Sequence, residues 1–139
     1  MTPRALMLER TARLAYWVML AAATWILLRG HNAPGGGFIA GLVAVAATAL
    51  LAIVYGPRTA RRRLPLPPAG LALAGLALAV VSGLPGAVAG DPFLTHLWTR
   101  LAGLKVSTVL LFDLGVFAAV WGSFTTYLLA LLDPGGKTP

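Results

Sequence analysis

Long apolar stretches alternate with short polar connections along the chain. Four of these stretches approach or exceed the length of about 20 residues that an α-helix needs to cross a membrane. The pattern therefore predicts four transmembrane helices, at approximately 12–28, 38–55, 69–89 and 106–132. The first stretch, with its basic leader and alanine-rich tail, is also compatible with a signal peptide. We favour a membrane-anchored first helix because no soluble domain follows it.

Composition supports the same class of protein. Of the 139 residues, 58% are hydrophobic and only 11% are charged, and the mean hydropathy is +0.83. Soluble domains carry about 25% charged residues, and a soluble chain this short lacks the interior to bury so much apolar surface. Cysteine is absent, which excludes disulfides and thiolate-based metal sites. We predict an all-α integral membrane protein that forms a single membrane domain over residues 1–139.

The formal net charge of +7 is concentrated in the connections between the apolar stretches. Eight of the eleven cations lie in the N-terminal leader, the second connection and the C-terminal tail, against three in the alternate connections. Cytoplasmic connections carry the excess of Lys and Arg. Both termini are therefore predicted to be cytoplasmic, in a multi-pass protein of the inner (plasma) membrane. No long basic face is present, so nucleic acid is not predicted as a partner.

Small residues recur at every fourth position of the second predicted helix. Side chains at this spacing lie on one helix face, and small faces let helix backbones approach closely in a membrane. Similar rows occur in the third and fourth predicted helices. The predicted helix-packing positions are Gly35, Gly36, Gly37, Gly41, Ala44, Thr48 and Gly115. An alanine-rich sequence also produces such rows by chance. If the rows are used, three small faces exceed what four helices need among themselves and predict partner helices.

The segment "GHNAPGGGFIAG" at residues 30–41 contains three consecutive glycines. A phosphate-binding loop also needs a Lys followed by a Ser or Thr after its glycines, and neither follows here. We interpret the segment as a tight outer turn that opens directly into the second helix. The rest of the chain offers no paired carboxylates and no His-x-x-x-His pattern. No catalytic residue, metal site or cofactor is therefore predicted.

Asp113 is the acidic residue inside an apolar span, about 10 Å along the fourth predicted helix. Ionisable residues at membrane depth mark ion pathways or buried pairs. We favour pairing of Asp113 with a cation or a helix terminus of a neighbouring subunit, because it lies toward one membrane face without a second acid; an ion-pathway role is the alternative. His31 and His96 lie in outer connections, where hydrogen bonding or solvation is the common role and proton or cation handling the alternative.

Two blocks of the sequence together resemble a known family, the MrpB/MnhB subunits of the Mrp-type multisubunit Na⁺/H⁺ antiporters. The block "HNAPGGGFIAGLVAVAATALLAIVYG" resembles the loop and second helix of that family. "DPFLTH" followed by "VSTVLLFDLGVFAAVWGS" resembles the family's last loop and helix. The segment 58–90 takes no part in the resemblance, so the third helix rests on hydropathy alone.

The resemblance implies a small structural or accessory membrane subunit, not an enzyme, in a complex that couples Na⁺ efflux to H⁺ uptake. The implied partners are the large antiporter-like subunits and the other small subunits of the Mrp complex, the lipid membrane, and Na⁺ and H⁺ as the transported ions. Two alternatives stay open: a B-like subunit of a membrane-bound hydrogenase or related redox-driven ion pump, and an autonomous small homo-oligomeric transporter. The second is disfavoured because Asp113 is the only embedded charge available to it.

Overall fold

The computed structural model describes residues 3–29, 36–88, 90, 92, 98–101 and 104–133. Within these residues the chain forms six helices and two short strands. In chain order they are α1 (Pro3–Arg29), α2 (Gly37–Tyr55), α3 (Pro57–Arg61), α4 (Pro68–Val81), α5 (Leu84–Val88), β1 (Trp98–Leu101), β2 (Leu104–Ser107) and α6 (Thr108–Leu132).

Four segments of the described residues are long and apolar enough to cross a membrane: Leu6–Arg29, Gly37–Tyr55, Pro68–Val88 and Thr108–Leu132. The four predicted spans and the all-α membrane class are confirmed. The helix bounds differ most at the first span, where α1 begins at Pro3 instead of near residue 12. Proline is favoured at a helix start because its missing N–H would have no helical partner there. α1 therefore includes most of the polar leader that precedes the apolar stretch.

The third span is divided into two helices. α4 ends at Val81 and α5 begins at Leu84, with one turn between them. Pro85 has no N–H to donate to the Val81 carbonyl oxygen, so a continuous helix would lose this bond. The missing donor accounts for the interruption of the helix predicted over 69–89.

The connection before α6, a segment predicted to be a loop, contains an antiparallel hairpin of β1 and β2. Trp98 pairs with Ser107, and Leu101 pairs with Leu104. Two residues, "AG" in the sequence, separate the strands, and glycine is common in connections of this length. Residues 106 and 107 belong to β2, so the last helix begins at Thr108 instead of residue 106.

The spans pack in the order α1, α2, α6, α4. α2 and α6 run parallel, because successive glycines of α2 lie against successive turns of α6 in the same order. α4 and α6 run antiparallel, since Gly75 of α4 faces Gly115 while Pro68 faces Gly122. α2 and α6 are therefore the central pair, and α1 and α4 flank them.

Buried side chains form two small clusters between the helices. One cluster contains Tyr16, Ala47, Leu51, Ala52, Ala60 and Leu129, and the other contains Ala23, Ala44, Leu71 and Trp121. Half of these residues are alanines, so close helix approach contributes more than bulky interior side chains. Large apolar side chains such as Trp25, Ile53 and Val88 are exposed instead. This distribution fits a protein whose surrounding solvent is lipid, because lipid tails are as apolar as the side chains themselves.

Candidate functional site

The glycine triplet leads into the point where α2 begins beside α6. Gly37 is the first residue of α2, and a Cβ atom built on it would overlap the carbonyl oxygen of Asp113. One turn later, a Cβ atom on Gly41 would lie 2.8 Å from the Cβ atom of Val120. Because neither glycine has a side chain, the backbone of α2 rests directly on α6. We call this contact the α2–α6 junction.

Gly36 is needed at the junction for a conformational reason. It is the N-cap of α2, with a φ of +98°, a region that glycine occupies readily and other residues do not. Its N–H donates a hydrogen bond of 3.5 Å to the carbonyl oxygen of Ile26 in the last turn of α1. This bond satisfies one of the carbonyls that a helix leaves open at its C-terminal end. Gly36 therefore connects the end of α1 to the start of α2.

The carboxylate of Asp113 lies beside this helix start. A Cβ atom on Gly36 would be 3.6 Å from each of the two carboxylate oxygens. The first turn of α2 has no side-chain cap, and its free N–H groups together with the helix dipole favour a nearby negative charge. Asp113 is half-buried, and what faces it within the described part of the chain is a helix terminus of the same chain. Chemically, the side chain can act as the negative counterpart of the α2 terminus.

A second polar contact joins α2 and α6 deeper in the protein. The indole N–H of Trp121 donates to the Thr48 hydroxyl oxygen at 2.9 Å, and that hydroxyl donates to the Ala44 carbonyl oxygen at 2.9 Å. All three residues are buried. The sequence predicted Ala44 and Thr48 as packing positions but missed Trp121. The signal was present, since a buried indole needs an acceptor for its N–H.

The opposite face of α6 packs on α4 through glycines of both helices. A Cβ atom on Gly115 would lie 2.8 Å from the Gly75 carbonyl oxygen, and one on Gly75 would lie 2.6 Å from the Gly115 carbonyl oxygen. Gly122 is equally close to Pro68, with 2.6 Å from a built Cβ to the carbonyl oxygen. The small faces of α2, α4 and α6 are thus used inside the chain, although their number led us to expect partner helices.

Three of the predicted site residues, Gly35, His31 and His96, lie outside the described residues. The structure brings together Gly36, Gly37 and Asp113, and it places Gly115 on the far side of α6 from α2. Among the described residues, no group of three or more His, Cys, Asp or Glu side chains is placed to hold a metal ion.

The chain is similar to known antiporter subunits over most of its length. A family model described as a domain related to the MnhB subunit of Na⁺/H⁺ antiporters matches residues 7–126. The B-type Na⁺/H⁺ antiporter subunit of Bacillus subtilis (strain 168) is 38% identical over 128 residues, which cover 88% of this chain and 90% of that protein. The protein of the same name from Alkalihalophilus pseudofirmus is 30% identical over 132 residues, covering 91% and 92% of the two chains.

A solved structure has the same fold. One chain in the structure of the Mrp complex from Dietzia sp. DQ12-45-1b aligns with a TM-score of 0.84 and 32% sequence identity. The alignment covers 98% of this chain but 15% of that chain. The solved chain is therefore much longer, and this chain corresponds to one segment of it.

Proposed function

Because the chain belongs to the MnhB family of Na⁺/H⁺ antiporter subunits, we propose that it serves as the MnhB-type component of a multisubunit antiporter in the plasma membrane. The complex exports Na⁺ in exchange for H⁺, and this chain is a structural component of the transporter without an enzymatic role of its own. The family match over residues 7–126 carries this proposal, since it includes all of α2 and α4 and most of α1 and α6.

The surface of the four spans supports a place within a larger assembly. Bulky apolar side chains are exposed on both flanking helices, among them Trp17 and Trp25 on α1 and Leu73 and Leu76 on α4. The glycine and alanine faces are already occupied inside the chain. The chain therefore presents large apolar side chains to lipid and to the other subunits, while its small residues hold its own helices together.

Asp113 has a structural role in this proposal. Its carboxylate offsets the positive end of α2 and keeps the Gly36 turn against α6, a contact that needs no ion from solution. His31 and His96, in the connections predicted to lie on the same side of the membrane, are the remaining candidates for proton or cation handling. Replacing each histidine by Gln and measuring exchange in the assembled complex tests them separately from Asp113.

Deletion and re-expression of this chain in its own host test the function. Inverted membrane vesicles from the deletion strain should lose Na⁺-induced proton movement, and re-expression should restore it. A tagged copy, extracted in mild detergent, should bring down the two large antiporter-like subunits when the co-purifying proteins are identified by mass spectrometry. Recovery of electron-transfer subunits would instead assign the chain to a redox-driven ion pump. Transport by a purified homo-oligomer in liposomes would instead establish the autonomous alternative.

We also propose that both termini are cytoplasmic. The distribution of cations supports this orientation, and the packing order is compatible with it because the start of α1 and the end of α2 lie at one end of the helices. The chain has no native cysteine, so single cysteines at Thr2 and Thr138 can be labelled without background. An impermeant maleimide should fail to label either site in intact cells and should label both in inverted vesicles. Labelling of either site from outside would reverse the orientation.

A further inference from the structure

Exposed arginines from three parts of the chain lie at the end of the helices where α1 begins and α2 ends. Five of them, Arg13 of α1, Arg58 and Arg61 of α3, and Arg62 and Arg63 of the turn that follows, form what we call the arginine cluster. Glu9 and Asp133 are the carboxylates described at this end, and neither forms an ion pair with the cluster among the described residues. The positive charge of the cluster is therefore not neutralised within this part of the chain.

Packing holds the cluster in place. Ala60 of α3 is fully buried and belongs to the same core cluster as Tyr16 and Leu129, which fixes α3 against the ends of the long helices. The guanidinium of Arg13 lies 5.8 Å from the centre of the Tyr55 ring. The hydroxyl of Tyr55 donates in turn to the carbonyl oxygen of Glu9. The cluster thus combines Arg13 on the long helix α1 with four arginines on α3 and the turn after it, and these elements have defined positions.

Apolar side chains are exposed close to the cluster. Leu14 and Trp17 follow Arg13 along α1, and Ile53 precedes Tyr55 at the end of α2; all three are exposed. Aromatic residues such as Trp17 and Tyr55 are enriched at the level of lipid headgroups. A ligand that suits this surface has an anionic head for the guanidinium groups and an apolar tail for the side chains below them.

We propose that the arginine cluster binds the phosphate headgroup of an anionic phospholipid, with the acyl chains against α1 and α2. A guanidinium donates two parallel hydrogen bonds to phosphate oxygens, whereas an ammonium group acts as a point charge. The site goes beyond the role of these cations in setting orientation, because orientation depends on the number of positive charges and not on their geometry. An acidic surface of another subunit has the required charge, but it lacks the apolar tail.

Fluorescence quenching in the intact complex tests the site. Thr59, exposed between Arg58 and Arg61, is replaced by Cys and labelled with bimane. The labelled complex is placed in two kinds of phosphatidylcholine nanodisc. In one, a fixed fraction of the lipid is phosphatidylglycerol with brominated acyl chains. In the other, the same fraction is brominated phosphatidylcholine. We expect stronger quenching by brominated phosphatidylglycerol. This preference should fall about fivefold for each arginine removed and should weaken in high salt.

Matched variants separate the lipid site from orientation. Changing Arg58, Arg61 and Arg62 together to Gln should abolish the preference. Changing the same three residues to Lys keeps the charge and the orientation, and should leave a reduced, salt-sensitive preference. Arg29→Gln, which removes an exposed arginine from the opposite end of α1, should leave the preference unchanged. Equal quenching by the two lipids in the wild-type complex would overturn the proposal, as would cross-linking of Thr59→Cys to an acidic segment of another subunit.

Discussion

Helix α6 contacts α2 on one face and α4 on the other, and the two contacts are built differently. Against α4, glycines stand on both helices, so Gly75 and Gly115 bring backbone against backbone. Against α2, the glycines belong to α2. Gly37 lies on the backbone of Asp113, whereas Gly41 faces the side chain of Val120, and Trp121 of α6 adds a hydrogen bond to this contact. Polar groups also lie in the α2–α6 contact, where Asp113 faces the start of α2.

The difference between Gly115 and Gly41 separates a fixed contact from an adjustable one. A backbone atom moves only if a whole helix shifts, whereas a side chain can change its rotamer or be shortened. We infer that the α4–α6 contact contributes most to the stability of the chain. The α2–α6 contact contributes less and determines where α2 begins. Substitutions at Gly115 and at Gly41 should therefore differ in the size of their effects and in whether a second substitution can compensate for them.

The largest effect is expected for Gly115→Ala on the α4 face. Its Cβ atom would lie 2.8 Å from the Gly75 carbonyl oxygen, and both helices would have to separate. We expect a loss of about 3 kcal/mol, at the upper end of overpacking effects, in equilibrium unfolding of the purified chain in mixed micelles followed by circular dichroism. Gly70→Ala is the control, since its nearest atom would be the Pro67 Cδ at 3.8 Å. Equal stability of the two variants would contradict the backbone contact.

Gly41→Ala on the α2 face should cost less, about 2 kcal/mol, and it should be partly rescued. The new Cβ atom would meet the side chain of Val120 at 2.8 Å, and Val120→Gly removes those atoms. In a double-mutant cycle we expect a favourable coupling of about 1 kcal/mol or more. No side-chain deletion can provide the same relief for Gly115→Ala, because backbone atoms cause that conflict. Simple additivity of Gly41→Ala and Val120→Gly would show that Gly41 is no more adjustable than Gly115.

The hydrogen bond between Trp121 and Thr48 should contribute about 1 kcal/mol. Trp121→Phe and Thr48→Val should each lower the stability by at least this amount, and the double variant by less than the sum of the two. Thr125→Val is the matched control, because the buried Thr125 hydroxyl has no hydrogen-bond partner in the described part of the chain. Removing that hydroxyl should be neutral or stabilising. A loss as large as that of Thr48→Val would show that the Thr125 hydroxyl has a partner.

Asp113→Asn should have the smallest effect on stability. The amide keeps an oxygen that faces the start of α2 and loses only the interaction of a full charge with the helix dipole, which is worth about 0.3–1 kcal/mol. We expect the complex to assemble and to exchange Na⁺ for H⁺ across pH as the wild type does. Assembly and exchange are to be measured on one preparation. Loss of assembly would indicate a cation on a partner chain, and loss of exchange in an assembled complex would place Asp113 in the ion pathway.

The number and approximate positions of the spans were predictable from the sequence because lipid demands long apolar runs. Proline and glycine signals for the turn before Leu84 and for the β1–β2 hairpin were present, but hydropathy averages over such short features. The glycine rows indicated the helix faces that pack closely, yet the spacing of glycines cannot identify the helix that packs against each face. Gly41 meets Val120, a residue far away in sequence.

The same limit applied to Asp113. Its position inside an apolar run indicated that something must offset the charge, and a helix terminus was among the predicted partners. The sequence pattern placed that terminus on a neighbouring subunit, whereas the structure provides the start of α2 from the same chain. Only the parallel arrangement of α2 and α6 brings the two together, and this arrangement depends on contacts between distant parts of the chain.

The central position of α6 has a consequence for biosynthesis. α6 is the last of the four spans to emerge from the ribosome. It is the principal partner of α4, and it is one of the two spans that pack on α2. Before its insertion only the α1–α2 hairpin can close, while the glycine faces of α2 and α4 meet lipid or the insertion machinery. A product truncated before Thr108 therefore enters the membrane with both faces open. We expect such a product to be degraded faster than the finished protein, because its glycine faces lack the helix that covers them.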